Sequence, residues 1–155
     1  MKIESNINML LFRFNNYKMY NFIEEHLEVI KNNNYVWMLK VGRKSNMSKI
    51  KEILDNGGYM LLKAPKNHKH QYFIAKFCEV IDSEPEDKVY PTYYNDILDD
   101  LYADEQWFKI EFIKPLKEED MNNIVLQKNN EKVESVIAKT RTAVMFVKNI
   151  SELII

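Results

Sequence analysis

Trp107-Phe108-Lys109-Ile110-Glu111-Phe112-Ile113 alternates between two kinds of side chain. Phe108, Ile110 and Phe112 fall on one face and Trp107, Lys109 and Glu111 on the other, the two-residue period of a strand with one buried side. The pattern therefore predicts a strand over 107–113 with Trp107 on its polar face. A second such run, Thr140-Arg141-Thr142-Ala143-Val144-Met145-Phe146-Val147, predicts a strand over 143–147, and Ile150-Ser151-Glu152-Leu153-Ile154 reads as a closing helix.

Working outward, Tyr35 to Val41 is apolar on both faces and suits a central strand ended by Gly42. Tyr59 to Ala64 and Gln71 to Ile81 are rich in aromatic and branched residues, and the polar segment Pro65 to His70 between them predicts an antiparallel hairpin. Helices are expected where caps precede apolar periodicity. Asn21 with Glu24 makes a capping box ahead of Ile23, Leu27 and Ile30, and Asn46 or Ser48 caps a helix with Met47, Ile50 and Leu54 inward. Asn56-Gly57-Gly58 supplies the positive-φ residues that stop that helix. A short helix over Asp96 to Tyr102, another around Glu118 to Ile124 and an apolar run over Met9 to Phe14 complete the pattern. Strands interleaved with few βαβ units imply an α+β fold, a curved or open barrel-like sheet of about five to six strands with flanking helices. The first 34 residues read as a helical extension packed on a domain spanning 35–155.

Composition narrows the function classes. With 155 residues, 46% of them hydrophobic, the chain can bury one good core. Its 22 Lys and Arg against 23 acids leave a net charge of -1, which argues against a protein that grips nucleic acid along a long run of phosphates. Any such binding is expected to be local, neutralising roughly 2–4 phosphates. The one cysteine, Cys78, sits in an apolar run and reads as a small buried hydrophobe, which excludes an internal disulfide. No secretory signal or membrane-length apolar run is visible, so a cytoplasmic protein with no membrane partner is expected.

Several motifs in order resemble one superfamily. Tyr35-Val36-Trp37-Met38-Leu39-Lys40 resembles an opening aromatic strand ending in Lys. Gly58-Tyr59-Met60-Leu61-Leu62 with Tyr72-Phe73-Ile74-Ala75-Lys76-Phe77-Cys78-Glu79-Val80 is similar to a central hairpin. Phe108-Lys109-Ile110-Glu111-Phe112-Ile113 with Pro115-Leu116, then Arg141-Thr142-Ala143-Val144-Met145, resemble the later strands. Together they resemble the PUA-like superfamily, in its EVE and YTH branch, over residues 35–155. The resemblance implies a module that takes one base of DNA or RNA, often a modified one, into an aromatic pocket. Lys40 and Arg43 match the strand end bordering that pocket, and Arg141 and Thr142 match the element entering the last strand. Trp37, Tyr90, Tyr93, Tyr94 and Trp107 are the aromatic candidates. The chain departs from the methyl-adenine readers at Tyr59, where those carry Trp.

Each candidate has a plainer reading. Trp37 suits a core strand, the three tyrosines around Pro91 suit a loop packed over the sheet, and Arg141 suits a surface ion pair with an acid such as Glu111. His68-Lys69-His70 lacks a third metal ligand, and the helix carrying His26 with Glu24, Glu25 and Glu28 lacks the spacing of a metalloprotease. No general acid and base, phosphate loop, metal or cofactor site is legible. The base-reading module therefore stands beside a rival, an adaptor that holds another protein through residues 1–34 and exposed aromatics. A third reading is an ASCH-like nucleoside hydrolase, which requires a Lys and Glu pair in one pocket. Under the first, Lys40, Arg43, Lys63, Lys66 and Arg141 converge on one cleft; under the second, the aromatics form a convex patch.

Overall fold

Asn8–Arg13, the inner part of the first apolar run, lies in the middle of the main sheet. The computed structural model describes residues 1–155. In chain order its elements are β1 (Lys2–Ile3), β2 (Asn8–Arg13), α1 (Phe22–Asn33), β3 (Val36–Val41), α2 (Met47–Asp55), β4 (Tyr59–Lys63) and β5 (Tyr72–Ile81). There follow α3 (Tyr94–Asp99), β6 (Glu105–Leu116), a 3-10 turn (Glu118–Asn123), β7 (Ile124–Leu126), α4 (Val133–Lys139), β8 (Val144–Asn149) and β9 (Leu153–Ile154). The fold is α+β. Its sheet has seven strands in the order β3-β6-β5-β4-β2-β8-β7, and all five strands expected from the sequence belong to it. Every neighbouring pair is antiparallel except β2 with β4. The edge strands β3 and β7 do not pair with each other, so the sheet is open.

Because β2 bonds to β4 on one side and β8 on the other, the expected boundary at residue 34 cuts through one hydrogen-bonded sheet. Its alternation explains the placement. Leu10 joins Met60, Leu62, Phe73 and Phe77 under α1 and α2 on one face, while Met9 and Leu11 join Leu61, Ile74, Met145 and Val147 under α4 and the 3-10 turn on the other. A strand apolar on both faces belongs inside a sheet covered on both sides.

The helix caps follow the sequence. The Asn21 side chain accepts the Glu24 N–H at 3.0 Å, and Asn46 accepts from Ser48 and Lys49. Inward residues differ in part: Phe22, Ile23 and His26 are the buried residues of α1, whereas Leu27 and Met47 are exposed. The expected closing helix is instead the two-residue strand β9, which pairs with β1. Asn149 explains this, since its buried carboxamide accepts the Ile7 N–H and donates to Glu4 O and Ser151 O, tying both termini to the end of β8. The helix expected over 96–102 begins at Tyr94 and ends at Asp99, leaving Tyr102 almost fully exposed.

Two irregularities in the β5–β6 pairing shape the centre. Lys76 faces Phe112 but Phe77 faces Ile110, and Glu79 faces Lys109, so Glu111 and then Cys78 are left as extra residues. Cys78 is accordingly exposed rather than buried. The first irregularity sits beside Gly58, whose φ is +71° and whose carbonyl accepts the Phe77 N–H at 2.8 Å. A Cβ on Gly58 would lie 2.1 Å from the Phe77 carbonyl oxygen. No helix is long and apolar enough to cross a membrane.

Gly58→Ala is therefore expected to lower unfolding free energy by roughly 1–3 kcal/mol, from the left-handed φ and the backbone collision together. Urea denaturation checks it, and an unchanged midpoint would show that β4 and β5 yield freely at this point.

Candidate functional site

The aromatic candidates are gathered into one cluster, and it is largely closed. Trp37, Leu39, Tyr90, Tyr93, Tyr94 and Trp107 are all buried together. Trp107 does lie on the face shared with Lys109, but this part of the face is covered by the segment carrying Tyr90 and Tyr94, with ring centroids 5.3 and 5.9 Å away. It is fully buried, so the expectation that it stands on a polar face is corrected by a covering segment that strand alternation does not reveal. Trp37 donates its indole N–H to Asp87, which also accepts from Tyr35.

The covering segment has a backbone task. β3 is an edge strand, and its outward N–H groups at Trp37 and Leu39 are met by Val89 O and by the Tyr94 hydroxyl. This caps an edge that would otherwise present free donors. The same hydroxyl contacts His26 Nε2, while His26 Nδ1 lies 2.6 Å from Phe22 O. Nδ1 must carry the proton to meet that carbonyl, so Nε2 accepts from Tyr94, whose oxygen in turn accepts the Leu39 N–H. Burial pulls the His26 pKa down to about 4 and pushes Tyr94 well above the ordinary tyrosine range. Tyr93 is clasped between Tyr17 and Tyr20, at 5.7 and 5.2 Å and nearly parallel.

The charged candidates open to solvent around the segment 140–143. Lys40, Arg43 and Thr142 line one hollow of about 630 Å³ with Lys44. Arg141 lines another, of about 760 Å³, with Arg13, Lys63 and Lys66. A third, of about 280 Å³, holds Lys49 and Lys128 beside Thr140 and Thr142. The fourth, of about 300 Å³, is mainly apolar, with Phe14, Tyr17, Tyr93 and Tyr94 in its wall and Arg13 at its side. These hollows adjoin: Ala143 belongs to three of them, Thr140 and Thr142 each to two, and Arg13 to two. Arg13, Lys40, Arg43, Lys44, Lys49, Lys63, Lys66, Lys128 and Arg141 thus line hollows that adjoin along the segment 140–143, and no Asp or Glu lines any of them.

Of these cations only Lys44 makes an ion pair, with Asp82 at 3.4 Å, so Arg141 does not bridge to Glu111. Lys40 is buried, its ammonium donating to Arg43 O, and burial holds its pKa below the usual lysine range. The five cations expected to converge on one cleft divide between two hollows, Lys40 and Arg43 in one and Lys63, Lys66 and Arg141 in the other, with only Ala143 lining both. Trp37, Tyr90 and Trp107 stay in the closed cluster, whereas Tyr93 and Tyr94 reach the apolar hollow. The sequence reading missed Arg13, Tyr17, Lys44, Lys49, Lys128 and Thr140. The run Arg13-Phe14-Asn15-Asn16-Tyr17, a cation among aromatics after an apolar strand, carries a signal for the first two. Comparison with protein-family models, with curated proteins and with solved structures finds no match.

Because the His26 pKa is depressed in the fold, the unfolded chain takes up a proton first as pH falls. The fold keeps its full stability above the unfolded value of 6.5 and loses it progressively as pH drops toward 4, by about 3 kcal/mol. Denaturation midpoints followed from pH 7 to pH 4 check this, with His26→Gln expected to flatten the slope. Tyr94→Phe strips partners from both His26 and the Leu39 N–H and is expected to cost about 2–4 kcal/mol in urea denaturation at pH 7.

Proposed function

We propose that this chain is a nucleic-acid-binding module of PUA-like, EVE/YTH type that lays a strand along the cationic hollows and takes one base, modified bases included, into the neighbouring aromatic hollow. The observation that carries the reading is a segregation of charge: nine cations line four adjoining hollows around 140–143 with no carboxylate among the lining residues, in a chain whose net charge is -1. Such segregation concentrates positive potential where phosphates would run. An apolar hollow with the half-buried Tyr17 in its wall supplies the surface on which a base stacks, a contact worth about 1–3 kcal/mol, and Tyr93 backs that ring. Arg13 belongs to both, which brings a phosphate partner next to the base site.

The rival readings find less support. An adaptor using exposed aromatics needs a convex patch, and Trp37, Tyr90, Tyr93, Tyr94 and Trp107 are buried. A nucleoside hydrolase of ASCH-like type needs a Lys and Glu pair in one pocket, and these hollows offer no carboxylate.

The decisive measurement is binding of single-stranded and duplex DNA and RNA, plain and modified, at several salt concentrations. Affinity is expected to fall linearly with the logarithm of salt, and Arg43→Ala to weaken all sequences alike while reducing the slope by about 1. Tyr17→Ala is expected to cost about 1–3 kcal/mol for the preferred base alone. An absence of binding to every oligonucleotide at moderate salt would sink the proposal and move the reading to the protein-interaction module.

A further inference from the structure

The hollows are not alike, and the most crowded one contains more positive charge than one internal phosphate can offset. Arg13 and Lys63 stand directly opposite each other at the ends of the parallel strands β2 and β4. Strands in such a pair lie about 4.8 Å apart, and like charges placed across one are destabilising. Lys66, from the turn after β4, and Arg141, from the segment after α4, join them around the hollow of about 760 Å³. Burial, and next the charge of Arg13, pull the Lys63 ammonium below its ordinary range; Lys66 adds to this, and Glu118 on the other side partly opposes it. Arg13 and Lys63 are held in place by Thr140 O and by Gln71, while Lys66 and Arg141 bond to no protein group. Thr140 lines this hollow too, its own hydroxyl closed off from solvent. Four cations around one hollow with no carboxylate in its wall leave positive charge that an anion can offset.

Resting on the nucleic-acid reading above, we infer that this hollow holds the terminal phosphate of a strand, a phosphomonoester, rather than an internal phosphodiester. An internal phosphate carries one negative charge, whereas a phosphomonoester carries about -1.5 to -2 at neutral pH and has three free oxygens. Three oxygens match the two cations that face solvent: the Arg141 guanidinium can hold two of them side by side, and the Lys66 ammonium takes the third. Arg13 and Lys63 supply fixed positive charge behind them. Arg13 also borders the aromatic hollow, so a strand anchored by its end here presents its terminal nucleotide to Tyr17. The module then selects strand ends, the products of nucleases or kinases acting on nucleic acid.

The test compares single-stranded 12-mers of one sequence, as DNA and as RNA, with a 5′-phosphate, a 3′-phosphate or hydroxyls at both ends, by fluorescence anisotropy. One phosphorylated end is expected to bind about tenfold more tightly than the hydroxyl-ended strand. The doubly substituted Lys66→Ala, Arg141→Ala chain is expected to lose that difference, while Arg43→Ala weakens all three strands equally and keeps it. Lys66 and Arg141 are exposed, so the double variant tests the site without burdening the fold. Equal affinity for all three strands overturns the terminal-phosphate inference and leaves the nucleic-acid reading standing. It is also overturned if the double variant loses hydroxyl-ended strands as strongly as phosphorylated ones, or if a nucleoside monophosphate binds as tightly as the phosphorylated 12-mer, which marks a free-phosphate site. Failure of every strand to bind takes both readings down together.

Discussion

One guanidinium organises the charged surface of this protein. Arg13 Nη1 donates to Thr140 O at 2.5 Å and reaches Ile137 O at 3.4 Å, closing the end of α4, and its backbone N–H donates to Ala143 O. A cation on the last carbonyls of a helix answers both their unmet acceptors and the negative end of the dipole. The consequence is that the segment 140–143, which has no regular structure, is held against the end of β2. Each of the four hollows includes a residue of that segment. Because β2 is flanked by β4 and β8, the anchor itself sits on a strand that cannot fray from an edge.

The tyrosines divide between two tasks that their amphipathic rings allow. Tyr90 and Tyr94 bury Trp107 and shield the outer edge of β3, the Tyr94 hydroxyl serving a backbone donor and a neutral histidine at once. Tyr17 and Tyr20 close on Tyr93 and bring the side of this cluster into the apolar hollow. Stability and the apolar hollow thus draw on the same aromatic mass, and the hollow inherits rigidity from the packing behind it.

Near-neutral composition and strongly cationic hollows are compatible because net charge averages over the whole surface while a ligand meets only a part of it. Acids gather elsewhere along the chain, with Asp82, Glu84, Glu86, Asp87, Asp96, Asp99, Asp100, Asp104 and Glu105 all lying within one stretch. The expectation of few phosphate contacts followed from the sum of charges. Nine cations lining adjoining hollows follow from where the fold puts them.

Features set by neighbours along the chain were legible in the sequence. The strands of the hairpin, the caps at Asn21 and Asn46 and the glycine stop at Gly57 and Gly58 depend on local backbone geometry, and period-2 alternation identified β6 whatever its partners, whereas the interior strand β2 read only as an apolar run. Lys40, Arg43 and Thr142 line one hollow because each sits at or near a strand end, while Arg141 lines a second and Tyr93 and Tyr94 a third. What lay beyond the sequence depended on partners distant in the chain. The same alternation that put Trp107 beside Lys109 carries no information on whether Tyr90 and Tyr94 cover that face. Leu153 and Ile154 have the apolar character of a helix or a strand, and only the N-terminal residues Lys2 and Ile3 beside them, with Asn149 holding both ends, decide for the strand. The gathering of cations is likewise tertiary: Arg13, Lys63 and Arg141 are separated by long stretches of sequence and become neighbours because β2 and β4 run in parallel and α4 ends on a guanidinium.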